Sequence, residues 1–382
     1  MISLEIIGVI VFFGVVGSLI LLDRKNIQFQ YGIILRRWTY GIKAIEVLVK
    51  KNEKFLKNVG DASVVICLAT SIASIGFLLF GIIKLQPSLG VVLPTVGEFK
   101  YPGPVISVPF WYWIVCVFVV LTAHESMHAL FARLAKVPIR NYGIVTFLVL
   151  PIGAFVDPDA KKLKSAGFKE KLRIYAAGSF SNFIVGFLVY LIALGSLAVV
   201  NMFIESVGVK IGSTIPGTPA YNASVSGILY KIDETKITSI SDLSNFLQNL
   251  TVGKEITLYT DEGEFKLKTV ERPENRTLPF IGISNLTNVY KYKLLFSGYV
   301  PGSVISGIQT WLNLLFWLLI FNIGVGIFNM LPIRPLDGGL MYEEIFKKKF
   351  AQHRIIMRVL EGIILVLIIF NLFVIYAARL FI

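Results

Sequence analysis

The chain alternates long apolar runs with short polar, mostly basic stretches. Runs long enough to cross a bilayer cover residues 4–22, 63–84, 107–134, 173–204, 303–331 and 355–382, which predicts six transmembrane helices. One further apolar run, 143–156 (GIVTFLVLPIGAFV), is too short to cross. It carries Gly143, Pro151 and Gly153 among β-branched residues, so it reads as a re-entrant segment or hairpin. Residues 205–300 follow a different rule. GILYKID, KEITLYT and EFKLKTV alternate like strands between the turn signals DEG and RPEN. ISDLSNFLQNL opens on Ser239-Ile-Ser-Asp242 and reads as a helix. Residues 23–62 are basic and partly amphipathic, and are expected to lie along the cytoplasmic interface. The pattern gives a polytopic α-helical membrane protein of about six spans, with a short re-entrant β-hairpin and one inserted, small β-rich domain. Its expected parts are an N-terminal two-helix region (1–106), a first core segment (107–204), an extracytoplasmic domain (205–300) and a second core segment (301–382).

Composition agrees with the pattern. The chain is 55% hydrophobic and 16% charged, where soluble proteins have about 25% charged residues. The net charge of +13 does not indicate nucleic acid, because its placement has a membrane explanation. Segments 23–62, 132–173 and 332–358 hold nine, nine and six of the 37 Lys and Arg residues, while the connector 85–106 has only Lys100. Alternate loops put all three rich segments on one side. The positive-inside rule makes that side cytoplasmic and places the N-terminus outside. The sequons at Asn222, Asn249, Asn275 and Asn285 all fall in 205–300, the segment placed outside. The first 25 residues lack a basic leader and a small-residue cleavage site, and are read as a retained helix. Cys67 and Cys116 sit in apolar runs without a CxxC spacing, and read as small buried hydrophobes.

Residues 121–131 read LTAHESMHALF, and hold two of the three histidines in the chain. An ionisable side chain near mid-bilayer costs at least about 2.5–3.5 kcal/mol. Three on one turn demand a task. His124-Glu125-Ser126-Met127-His128 is HExxH, whose histidines share a helix face and can grip one Zn²⁺, with Glu125 as general base. Such a site needs a third protein ligand. His353 lies among basic residues and reads as a solvated interfacial histidine. Asp337, in FNMLPIRPLDGGLMYEE (328–344), stands at the cytoplasmic end of the fifth span, between Pro335 and Gly338-Gly339. The prolines end the helix and the glycines are expected to free the backbone to turn. Asp337 is either the third ligand or a plain turn residue. In AAGSFSNFIVGF (176–187), Gly178 and Ser181 suit close helix packing, and Asn182 offers a donor for an oxyanion or a substrate carbonyl.

Together HESMH, GSFSN and NMLPIRPLDGG resemble the site-2 protease family of intramembrane zinc metalloproteases. The last matches the family's Asn-x-x-Pro-x-x-x-x-Asp-Gly pattern through Asn329, Pro332, Asp337 and Gly338, and GIVTFLVLPIGAFV looks like the family's re-entrant β-hairpin. The resemblance covers residues 107–340. Ser179 departs from it, since many members carry proline there. The 205–300 segment resembles a PDZ domain, with IPGTPAYNASVS taken as the peptide-receiving loop through Gly217, Thr218, Pro219 and Ala220.

The resemblance implies Zn²⁺ as cofactor, held by His124, His128 and Asp337, with Glu125 activating water and then protonating the leaving amine. Asn182 assists the oxyanion, and Pro151 and Gly153 shape a hairpin edge that unwinds the substrate. The implied partners are single-span membrane proteins, often already shortened by another protease, and the lipid bilayer. The implied activity is regulated intramembrane proteolysis in a multi-pass cell-membrane protein, with the active site expected toward the cytoplasm. Two other readings stand beside it. A prenyl-protein peptidase type would lack the LDGG turn and the inserted domain. A catalytically silent scaffold or sensor would bind peptides through its PDZ-like domain alone.

Overall fold

The structure is a computed structural model that describes residues 4–30, 32–97, 99–147, 150–272, 275–293 and 298–374. Among the described residues the helices are α1 (Leu4–Leu22), α2 (Ile42–Lys84), α3 (Phe110–Leu134), α4 (Ala160–Ser165), α5 (Phe168–Phe203), α6 (Pro219–Asn222), α7 (Ile240–Gln248), α8 (Gly302–Asn329), α9 (Asp337–Lys349) and α10 (His353–Ile369). Six helical segments are long and apolar enough to cross a membrane: α1, α2, α3, α5, α8 and α10, the last continued to Val374. Two compact units form, one from Met1–Ile192 with Asn313–Ile382, the other from Ala193–Leu312.

In the first unit six strands accompany the helices: β1 (Ile27–Gln30), β2 (Ile33–Trp38), β3 (Val91–Thr95), β4 (Val105–Pro109), β5 (Ile139–Phe147) and β6 (Leu150–Pro158). Of the apolar run, residues 143–147 and 150–156 are strand, and β5 and β6 pair antiparallel. The pair is half of a larger sheet of order β1-β2-β5-β6. Within the basic segment 23–62, residues 27–30 and 33–38 are strands: β1 pairs with β2, and β2 pairs with β5 from Ile33↔Phe147 to Trp38↔Tyr142. Residues 42–62 continue α2 as one long helix, because their Lys, Glu and Leu residues are good helix formers. Asn52 marks the kink where the two parts merge. The region of the connector 85–106 carries β3 and β4 as a parallel pair.

α2 presents Gly60, Ser63, Cys67, Ser71, Ser74, Leu78 and Gly81 as one buried face. Steps of three and four keep them in line and let neighbouring helices approach closely. A Cβ on Gly60 would meet Phe131 of α3 and Arg173 of α5. The Arg173 guanidinium also holds Asp61 through two hydrogen bonds of 2.9 Å. α1 behaves otherwise: most of its side chains are at least partly exposed apolar groups, as lipid contact requires.

The second unit contains β7 (Ile204–Lys210), β8 (Ser213–Thr214), β9 (Ile228–Ile232), β10 (Thr235–Lys236), β11 (Glu255–Thr260), β12 (Gly263–Lys268), β13 (Val270–Arg272), β14 (Asn275–Phe280), β15 (Ile283–Ser284) and β16 (Thr287–Tyr292). Its main sheet runs β12-β11-β9-β7-β16, with β10 on β9. GILYKID, KEITLYT and EFKLKTV supply β9, β11 and β12. Leu229, Ile232, Ile237, Ile256 and Leu258 fill the core with Leu243 of α7. α7 starts where the Ser-x-x-Asp signature puts it. The Ser239 hydroxyl accepts from the Asp242 N–H while the Asp242 carboxylate accepts from the Ser239 N–H.

Candidate metal centre

The fourfold spacing on α3 brings His124 and His128 to one face a single turn apart, with ring centroids 4.7 Å apart. Asp337 reaches the same place from the other end of the sequence. α8 stops at Asn329, and residues 330–336 turn through successive short backbone bonds before α9 begins at Asp337. Arg334 pins this turn by pairing with Glu361 and Glu343. The two glycines after Asp337 are not turn residues as expected. They are the first helical turn of α9, and a Cβ on either would strike the backbone of Met330–Arg334. Glycine is needed there because two backbones touch.

Three donor atoms converge. His124 Nε2 and His128 Nε2 lie 3.1 Å apart, and Asp337 stands 3.3 Å from each, through Oδ2 and Oδ1 respectively. Zinc bonds of about 2.0–2.1 Å in a tetrahedron require ligand separations of about 3.3 Å. The residues therefore fit Zn²⁺, and a His₂Asp set leaves the fourth position open, as in catalytic sites. His124 and Asp337 are each only 8% exposed, so these polar groups would be costly without a common ion.

α5 supplies the surrounding support. His128 Nδ1 donates to the Ile174 carbonyl at 2.7 Å, which leaves its Nε2 lone pair for a metal. Asn182 Nδ2 lies 3.1 Å from His124 Nδ1, and the Ser179 hydroxyl lies 3.4 Å from Asp337 Oδ2. Gly178 faces both imidazoles so closely that a Cβ would overlap Nε2 of each. Beside the centre opens a cavity of about 900 Å³, lined mostly by apolar side chains and including Glu125. The Val156 backbone of β6 lies within reach of the Glu125 carboxylate, which ties the sheet to that residue.

The sequence model of Peptidase family M50 matches residues 112–373, from the first turn of α3 to the end of the described chain. The chain belongs to Peptidase family M50. It is 27% identical over 325 residues to the uncharacterized protein MJ0971 of Methanocaldococcus jannaschii, covering 83% of this chain and 78% of that one. It is 23% identical over 291 residues to a Fusobacterium nucleatum protein named "Putative zinc metalloprotease FN1322", covering 59% of this chain and 84% of that one. A Clostridium perfringens protein with the same description, CPE1693, is 23% identical over 290 residues, with the same coverage.

Within this M50 chain the structure brings together His124, His128, Asp337 and Asn182, with Glu125 on the adjoining cavity. Asn182 sits behind His124 and is fully buried, so its contact is with an imidazole of the cluster. Pro151 lines the cavity, whereas Gly153 is not among its lining residues. His353 begins α10 and is not part of the His-His-Asp cluster. Gly217–Ala220 form the turn into α6, and the Thr218 side chain fills the space beside Gly282. The apolar groove of this unit, about 280 Å³, lies elsewhere: Leu243 and Leu247 of α7 form one wall, and Phe280, Ile281 and Ile283 the other. Three contributors escaped the sequence reading. Ile174 acts through a backbone carbonyl, which leaves no trace in residue type. Ser179 was noted only as a departure from a proline. Gly178 was read as a packing residue for helices rather than for imidazoles.

Proposed function

We propose that the chain is an intramembrane zinc endopeptidase that cleaves single-span membrane proteins, some of them already shortened, in regulated intramembrane proteolysis. The observation that carries this reading is the buried His₂Asp cluster one residue from Glu125, which lines an apolar cavity, on helices apolar enough to span a bilayer. Zinc, when bound by His124, His128 and Asp337, supplies a Lewis acid that polarises the scissile carbonyl and acidifies water. Glu125 takes the proton of the attacking water and passes it to the leaving amine. The apolar walls exclude bulk water from the remainder of the cleft. β6 is the edge of its sheet nearest α3, and an unwound substrate segment adds to it as a strand.

The second unit is PDZ-like and filters substrates by ectodomain size or by a new C-terminus. Its support is the groove between α7 and Phe280–Ile283. This unit and the N-terminus face away from the cytoplasm, a reading supported by the distribution of Lys and Arg. The test pairs zinc counting with cleavage. Wild type in detergent holds about one zinc per chain and cleaves a single-span reporter. Glu125→Gln keeps zinc and loses turnover. Zinc-free wild type, or a Glu125→Gln variant as active as wild type, would refute the reading. Retained peptide binding in the second unit would then favour the scaffold.

A further inference from the structure

Phe118, Thr122 and Ser126 follow one another at steps of four on α3 and form a row along the wall of the apolar cavity. All three are exposed, so the row borders free space and not a helix interface. Two of them bring hydroxyls to a wall that is otherwise mostly apolar, and Ser126 is the chain neighbour of Glu125. A hydroxyl on a helix commonly bonds back to the carbonyl four residues earlier. Ser18 does so to Gly14 and Thr70 to Ile66, each on another apolar helix of this chain. Neither Thr122 nor Ser126 makes that bond, or any other side-chain hydrogen bond, among the described residues. Two accessible hydroxyls without partners thus stand in an apolar cleft beside Glu125, where an unpaired polar group is costly.

Their spacing indicates what they fit. Four residues of α-helix rise about 6 Å. Alternate residues of an extended chain repeat about every 6.4–6.8 Å, and their carbonyls point the same way. One extended segment lying along α3 can therefore accept from both hydroxyls. A helical segment cannot, because its carbonyls are used by its own i→i−4 bonds. A contact at Ser126 also brings the segment within one residue of Glu125. We propose that Thr122 and Ser126 are a substrate-binding pair whose hydroxyls donate to two main-chain carbonyls of an extended substrate segment. The pair thereby selects for segments that leave the helical state. This rests on the proteolytic reading above.

The test uses the full chain with Glu125→Gln, which prevents turnover, alone and with Thr122→Val, Ser126→Ala or both. The probes are two fluorescein-labelled single-span peptides of alternating Leu and Ala with terminal Lys, in phosphatidylcholine bicelles. One carries a central Asn-Gly pair that opens its helix, and the other is uninterrupted. The Kd of the Asn-Gly peptide is expected to rise about three- to tenfold in each single variant and further in the double, as loss of one hydrogen bond each predicts. The Kd of the uninterrupted peptide, zinc content and melting temperature are expected to stay the same. Thr70→Val, which removes a hydroxyl bonded back within α2, should change neither Kd. An unchanged Kd for the Asn-Gly peptide in the double variant would overturn the proposal and leave the proteolytic reading intact. An equal rise for both peptides would mean that the hydroxyls do not read the opened chain, and also overturn it. Lost zinc or a lowered melting temperature would assign the pair a structural role, with the same result. Failure of the zinc-loaded Glu125→Gln chain to bind the Asn-Gly peptide at all would defeat the proteolytic reading, and this proposal with it.

Discussion

The Asn182 side-chain amide lies 3.1 Å from His124 Nδ1, and its Oδ1 has no partner among the described residues. An imidazole that offers Nε2 to a metal carries its proton on Nδ1 and needs an acceptor there. An amide turned to put Oδ1 toward the ring supplies that acceptor in the same space. Asn182→Ala is therefore expected to lower zinc affinity about 10- to 100-fold. Asn182→Asp, which keeps an acceptor, should retain more of it. Competition with a chromogenic chelator measures both. Equal affinity in wild type and Asn182→Ala would mean that the contact does not orient His124.

Gly178 makes a stronger claim on the same site. A Cβ there would occupy the space of both Nε2 atoms, and these rings cannot withdraw without leaving the cluster. Gly178→Ala should lose zinc and about 1–3 kcal/mol of stability through overpacking. Gly76→Ala serves as the control, since nothing lies within 4 Å of a Cβ at that position in α2. Metal analysis and thermal unfolding distinguish them. A zinc-replete Gly178→Ala chain would show that the centre has more room than its geometry implies.

The hairpin gives a third contrast. The sequence singled out Gly153, yet a Cβ there meets only Val145 at 3.7 Å, an ordinary contact. Gly143 is the constrained position, because the Phe155 ring fills its Cβ space. Phe155 also lines the cavity and lies under the Arg37 guanidinium at 5.7 Å. Gly143→Ala should displace that ring and slow cleavage about tenfold or more, as misplacement near a reacting centre does. Gly153→Ala should cleave at the wild-type rate. Steady-state cleavage of a single-span reporter checks the pair, and a matching loss in both would remove the distinction.

The sequence exposed what depends on local pattern. Apolar runs announced the six helices long and apolar enough to span, HExxH announced two members of the His-His-Asp cluster on one turn, and Ser239-x-x-Asp242 announced the start of α7. What it hid depends on distant pairing. β2 is six residues in a basic stretch, and its strand character follows from β5, about a hundred residues later. β3 and β4 are short and parallel, so neither carries an alternation of its own. The groove between α7 and Phe280–Ile283 joins segments about thirty residues apart, and the proline-containing turn at 217–220 drew the reading away from it. Asp337, the third member of the cluster, was legible only as a choice between a ligand and a turn residue. Its convergence with the two imidazoles is a property of the folded chain.

The capping box of α7 predicts a local dependence on pH. The Thr238 hydroxyl donates to the Asp242 carboxylate, as do the backbone N–H groups of Thr238 and Ser239. These bonds, led by the Thr238 hydroxyl, hold the Asp242 carboxyl below its ordinary value. A group whose folded pKa is depressed stabilises the fold above its unfolded pKa, about 3.9. That contribution is lost as pH falls through the lower, folded value. Residues 238–248 of the full chain should therefore be protected from amide exchange near neutral pH. After correction for intrinsic rates, they should lose protection as the pH falls below the ordinary aspartate value of about 3.9. Asp242→Ala should already lack that increment at neutral pH, by about 1 kcal/mol, typical of a lost cap. It should lose nothing further on acidification. If wild type and Asp242→Ala lost protection in parallel as the pH fell, the titrating group would lie elsewhere, and the cap would be structural without being a source of pH dependence.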